Sequence, residues 1–117
     1  MLERKYRLHL QKDFDLVFKQ GKYKNLPNFL TIHYLKVPEN ELKVGLIISK
    51  KTEKLATKRH LAMRQSRHII QKLIKNKIIK DSYYLLFIIR QNYTQLNFEE
   101  KEEKIREILK LGGLLSD

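Results

Sequence analysis

The 117-residue chain contains no cysteine, which excludes disulfides and thiolate metal sites. No apolar run approaches the ~18 residues that a membrane-spanning helix needs. The opening MLERKYRLHL lacks the apolar core of a secretion signal. A cytoplasmic protein with no membrane partner is therefore expected. There is no glycine-rich phosphate loop, and Asp13 and Asp15 would point to different sides of a helix, so no pair of carboxylates is set up for acid–base work. With four glycines, two prolines and no linker, repeat or low-complexity stretch, residues 1–117 read as a single domain with one modest core.

Acids are scarce in one place above all. Between Lys50 and Lys80 eleven Lys or Arg face a single acid, Glu53, giving +10 of the chain's net +12. So localised a charge points to a polyanion. The segment reads as a loop followed by a long helix. Ala62, Met63, Ser66, Ile69, Ile70, Leu73 and Ile74 share one arc at 100° per residue. His60, Arg64, Arg67, His68, Gln71, Lys72 and Lys75 fall opposite, with Leu61 stranded among them. Arg59 would project into the apolar arc, so the regular helix is expected to begin after it. No acid interleaves to form i,i+4 pairs, and like charges at that spacing repel. Phosphates would neutralise them.

The other elements follow in order. Residues 1–10, with Arg4, Lys5 and Arg7, read as a flexible basic arm. Gln11 to Gln20 is helical, with Phe14, Val17 and Phe18 on one face and Gly21 as its stop. Lys22 to Asn28 reads as a loop. Phe29 to Lys36 alternates, with Leu30, Ile32 and Tyr34 on one side and Phe29, Thr31, His33 and Leu35 on the other. Leu42 to Ser49 is a second strand, the two forming an antiparallel hairpin through the turn Val37 to Glu41. Tyr83 to Ile89 is the strongest strand signal and central in the sheet. Gln91 to Gln95 is loop. Asn97 caps a last helix, with acids in its first turns and cations later, and residues 114–117 are expected to fray. The order α-β-β-(β)-α-β-α gives an α+β class, a small two-layer sandwich with helices on a mostly antiparallel sheet.

Four histidines, His9, His33, His60 and His68, invite a metal or acid–base reading. His60 and His68 lie two helical turns apart, too far to share one ion easily, and no carboxylate stands at ligand spacing. They read as solvated or phosphate-facing imidazoles, with no metal site and no catalytic residue. The basic helix alone leaves open a general RNA- or DNA-binding module, for example ribosome-associated, and a stand-alone nuclease using His and Lys.

Four motifs in sequence narrow this. Arg7-Leu8 precedes Asp13-Phe14, Val17-Phe18 and Gly21-Lys22. Val44-Gly45-Leu46 leads into Ser49-Lys50-Lys51. The basic helix follows, and Ile88-Ile89-Arg90 closes the apolar strand. In this order and spacing the chain resembles the protein subunit of bacterial ribonuclease P over nearly its full length. The resemblance implies the ribonuclease P protein-like fold and an endoribonuclease that removes the 5′ leader of precursor tRNA. Catalysis would belong to an RNA subunit carrying Mg²⁺. The partners implied are that catalytic RNA and precursor tRNA, with no obligate protein partner. Lys50, Lys51, Lys58, Arg59, His60, Arg64, Arg67 and His68 would contact the RNA subunit. Phe14, Phe18, Tyr34 and Arg90 would line the leader cleft between the first helix and the sheet. Each aromatic is open between leader contact and core packing, and the family position of Tyr34 could instead fall on Ile32. The chain departs from the family's Arg-Asn-Arg core. Aligned from Arg90 and Arg67, Arg59, His60 and Leu61 stand there; aligned from Lys51, Lys58, Arg59 and His60 do. Glu53 or Lys54 replaces the family glycine.

Overall fold

A computed structural model describes residues 2–38 and 40–116. Four strands form one sheet: β1 (Lys22–Leu26), β2 (Leu30–Lys36), β3 (Leu42–Ile47) and β4 (Tyr83–Ile89). Their spatial order is β1-β2-β4-β3. The β1/β2 and β2/β4 pairs are antiparallel, and β3/β4 is parallel. The helices are α1 (Gln11–Gln20), α2 (Ala56–Lys75), the single turn α3 (Gln91–Thr94) and α4 (Phe98–Leu111).

The expected hairpin between the second and third strands does not form. β4 is apolar on both faces, with Leu85, Leu86 and Phe87 all fully buried, and it takes the slot between them. A parallel β3/β4 pair needs a crossover of a dozen residues or more, which the 20-residue α2 provides. Lys22 to Asn28 is likewise not a loop, because its first five residues form the edge strand β1. β1 is exposed except at Leu26, so it carries no apolar alternation to reveal it. Gln91 to Gln95, read as loop, contains the turn α3.

Side-chain alternation gives the sheet two unlike faces. Leu30, Ile32, Leu42, Val44, Leu85, Phe87 and Ile89 point into the main core, where Ile69, Ile70 and Leu73 of α2 and Ile105, Ile108 and Leu109 of α4 meet them. Tyr93 of α3 is buried there too, its hydroxyl hydrogen-bonded to Ser66 Oγ at 2.6 Å, and burial pushes its phenol well above the ordinary range. Lys101 is also buried; its ammonium donates to Gln65 Oε1 and to the Leu96 carbonyl, and desolvation lowers its pKa. On the other face α1 stands over a small cluster of Leu8, Val17 and Leu86, with Phe14, Leu35, Ile47 and Tyr84 around it.

Two glycines permit this placement of α1. A Cβ on Gly45 would lie 3.0 Å from the Phe14 ring, so the bare backbone of β3 is what lets Phe14 sit down on the sheet. A Cβ on Gly21 would meet the Val17 carbonyl oxygen at 2.4 Å and that of Tyr34 at 2.7 Å, so α1 turns into β1 with backbone against backbone.

Both chain ends depart from expectation. Leu2 and Leu8 are buried, and the Leu8 amide donates to the Val44 carbonyl at 2.9 Å. The anticipated flexible arm is therefore anchored, because two of its three leucines, Leu2 and Leu8, have apolar surface to cover. Leu114 is buried and Leu115 bridges to Ile79, so the anticipated frayed tail is packed as far as Ser116, and Asp117 lies outside the described residues. Asn97 is the expected cap of α4: its Oδ1 accepts from the Glu100 amide while Glu100 Oε1 accepts from the Asn97 amide.

Candidate nucleic-acid interface

The basic loop, residues 49–55, is built around its one acid. Glu53 Oε1 accepts from the Leu55 amide, and Oε2 accepts from the Thr94 hydroxyl of α3, both at 3.2 Å. Ser49 and Thr52 close the loop's other end, hydroxyl to hydroxyl at 2.9 Å. α2 begins at Ala56, earlier than expected. Arg59 is accommodated because its guanidinium reaches back and donates to the carbonyls of Glu53 and Lys54 at 2.7 and 3.0 Å. Arg59 thus fixes the loop rather than projecting freely from it.

The remaining cations turn outward. Lys50, Lys51, Lys58, His60, Arg64 and His68 are exposed and Arg67 is half-buried. The His68 ring meets Phe98 edge-on at 5.8 Å. Among the described residues, none of these Lys or Arg side chains is in an ion pair. Lys72, farther along α2, behaves differently: Glu102 holds it together with Arg106, tying α2 to α4. The Lys72 hydrogen bond is the main reason the Glu102 carboxyl stays below its usual range. Of these α2 cations, Lys72 is therefore compensated within the fold, whereas those at the beginning of the helix are not.

The second region is the sheet face beneath and beside α1. Phe14 is half-buried in the small cluster, whereas Phe18 is 44% exposed. The Phe18 ring meets His33 edge-on at 4.7 Å, and Tyr23, 66% exposed, lies 5.7 Å on the other side of the same imidazole. Near these three rings, Thr31 Oγ1 donates to Asn25 Oδ1 at 2.7 Å and accepts from Arg90 Nη2 at 3.2 Å. Burial, and then the positive Arg90, depress the pKa of His33, so at neutral pH the ring is uncharged. It offers a flat surface rather than a cation. A hollow of about 520 Å³ is lined by Asn25 and Arg90 together with Lys51 and Thr52 of the basic loop.

The structure thus brings Phe14, Phe18 and Arg90 to one face, and separates Tyr34 from them. Tyr34 points to the opposite face, packs on the main core and lies 6.5 Å from Tyr83; its place among the cleft residues is corrected. The reason is the period of two along β2, which sends Thr31 and His33 to the α1 side. His33, Thr31, Tyr23 and Asn25 are the residues that sequence reading missed. Alternation did set Thr31 and His33 apart from Tyr34, but Tyr23 and Asn25 gave no signal while β1 was read as a loop. Among the described residues no three acidic or imidazole side chains gather as metal ligands.

The sequence and the fold are similar to those of known proteins. A family profile for Ribonuclease P matches residues 2–111. The ribonuclease P protein component of Streptococcus agalactiae serotype III is 30% identical over 115 residues, covering 97% of this chain and 100% of that protein. The fold of the Staphylococcus aureus RNase P protein matches with a TM-score of 0.82 at 20% identity, over 95% of this chain and 98% of that one. The RNase P protein from Thermotoga maritima matches with a TM-score of 0.77 at 25% identity, over 89% and 94% of the two chains. The likeness runs from the anchored N-terminal leucine to the end of α4, and by it the chain belongs to the ribonuclease P protein family.

Proposed function

We propose that this chain is the protein subunit of a ribonuclease P holoenzyme that matures the 5′ end of tRNA, with the catalytic chemistry and its Mg²⁺ carried by the RNA subunit. The observation that carries the reading is the continuity of the two surfaces. Lys51 of the basic loop shares one hollow with Arg90, which is tied through Thr31 to Asn25 on the strand that carries Tyr23. Lys50, Lys51, Lys58, Arg64 and Arg67, flanked by His60 and His68, suit the phosphates of the RNA subunit. Arg59 serves that docking indirectly, by holding the loop. Phe18, His33 and Tyr23, with Arg90 at one end, suit a single-stranded leader whose bases stack while its backbone follows the positive rim. Phe14 supports the row from beneath. The protein's part is then to hold and orient substrate in the cytoplasm, with no acid–base step assigned to a side chain.

The test is precursor-tRNA cleavage in Mg²⁺ by the protein alone, by its matched RNA alone at low salt, and by both. Efficient release of leader only by the combination is expected. Cleavage by protein alone, or no effect of the protein on its matched RNA, would overturn the proposal. In the same assay Arg64→Ala with Arg67→Ala should weaken assembly while leaving the melting temperature unchanged. Affinity should also fall steeply with salt, as counterions are released from each neutralised phosphate.

A further inference from the structure

A second basic hollow, of about 870 Å³, lies at the far end of the sheet. Lys36 closes β2 there, Lys75 ends α2, Lys77 and Lys80 lie in the bend that follows, and Tyr83 opens β4. Tyr83 opens β4 and Arg90 follows its last residue, roughly 23 Å apart at ~3.3 Å per residue. The hollow is therefore separate from the one shared by Arg90 and Lys51.

Its walls are held by backbone. The Val37 amide donates to the Ser82 carbonyl at 2.9 Å, and the Lys80 amide donates to the Leu114 carbonyl at 2.8 Å. The Ser82 hydroxyl donates to Asn40 Oδ1 at 3.3 Å. The turn after β2, the bend after α2 and the C-terminal segment thus form one rim. All four lysines are exposed and, among the described residues, none is in an ion pair. Asp81 is the one carboxylate among the described residues of the lining, leaving the hollow at +3. The helix dipole favours a cation at Lys75, in the last turn of α2. It does not account for Lys36, which comes from a strand, or for Lys77 and Lys80, which lie beyond the helix. Four lysines from three segments thus line one hollow, a surplus of positive charge that an anion would neutralise.

We propose that this hollow is a second RNA site, which grips the phosphate backbone of an RNA segment other than the one at the start of α2. Lysine ammoniums are point charges without the planar fork that reads base edges or clasps a phosphate in two places. The site is accordingly indifferent to sequence. The half-buried rings of Tyr6 and Tyr83 in its wall give a base somewhere to rest. The inference goes beyond the subunit assignment but rests on RNA as the partner.

The test uses the full chain and polyuridylate as probe, with affinity measured by fluorescence anisotropy across a KCl titration. Lys75→Gln, Lys77→Gln and Lys80→Gln together are compared with a charge-matched control, Lys12→Gln, Lys19→Gln and Lys110→Gln, whose residues are exposed and lie outside both hollows. The hollow variant should lower the slope of log affinity against log salt by roughly 2, as three single-strand phosphate contacts would, with the control near the wild-type slope and all melting temperatures alike. A hollow variant indistinguishable from the control overturns the proposal. Arg64→Ala with Arg67→Ala is run in parallel. If it weakens binding while the hollow variant matches the control, the main interface stands and the second site falls. If it binds like wild type while the hollow variant loses slope, the second site stands and the main interface falls. Should the triple variant melt early, Lys36→Gln with Lys80→Gln reads the same slope with two cations removed.

Discussion

The two faces of the sheet divide the work of the molecule. The α2/α4 face is closed, with buried aliphatic residues from all four strands meeting two long helices around Phe87 and Tyr93. The α1 face has a small buried apolar cluster of Leu8, Val17 and Leu86, and beside it leaves Phe18, His33, Tyr23 and Arg90 within reach of solvent. A ten-residue helix cannot cover a four-stranded sheet. One face therefore carries the stability and the other remains open to a ligand. The same division separates two tyrosines: Tyr34 sits on the closed side and Tyr23 on the open one.

Substitutions at matched positions would break this comparison if it is wrong. Phe87→Ala, at a fully buried ring, should have the largest effect, a loss of roughly 3–5 kcal/mol in denaturant unfolding. Tyr34→Ala should cost stability next, about 1.5–3 kcal/mol, without changing affinity for a single-stranded RNA; a selective loss of affinity would return Tyr34 to the cleft. Phe18→Ala should do the reverse, leaving the unfolding midpoint nearly unchanged and weakening single-strand binding by roughly 1–3 kcal/mol. Unfolding on that substitution would show Phe18 to be core.

Acidification sharpens the contrast at smaller amplitude. His33 has a folded pKa below its ordinary 6.5. Below 6.5 the unfolded chain binds the proton more readily, so stability falls as pH drops from there toward the folded value. Glu102 is also depressed, from 4.5, and its stabilising pairs with Lys72 and Arg106 are lost only as pH falls below the carboxylate range. Both cations are more than 40% exposed, which limits each pair to about 1 kcal/mol or less. Melting curves against pH should show His33→Gln removing the upper step alone and Glu102→Gln the lower step alone. A single shared transition would contradict the assignment of these groups to separate faces.

Much of this was legible from residue order. The apolar arc of α2 was read directly: Ala62, Ser66, Ile69, Ile70, Leu73 and Ile74 are all buried, and Leu61 is exposed as its position required. The cap at Asn97 and the central place of β4 follow equally from local chemistry. β1 was not legible, because an exposed edge strand with a single buried residue has no pattern to display. Nor was the role of Arg59, whose hydrogen bonds to two carbonyls five and six residues back depend on the loop's path. The helical arc placed an arginine in an awkward direction, and only the folded loop gave that direction a use.

The sequence by itself determined the elements with strong periodicity, the concentration of positive charge between Lys50 and Lys80, and the family. These are local or additive properties, readable wherever neighbouring residues repeat at 3.6 or at 2. Only the tertiary structure decided that β4 separates β2 from β3, that His33 lies against both Phe18 and Tyr23 while Tyr34 turns away, and that Lys51 and Arg90 share one hollow. Those depend on which strands come to flank β4. That choice is decided by the total apolar surface buried across the whole sheet, a sum no single stretch of the chain contains.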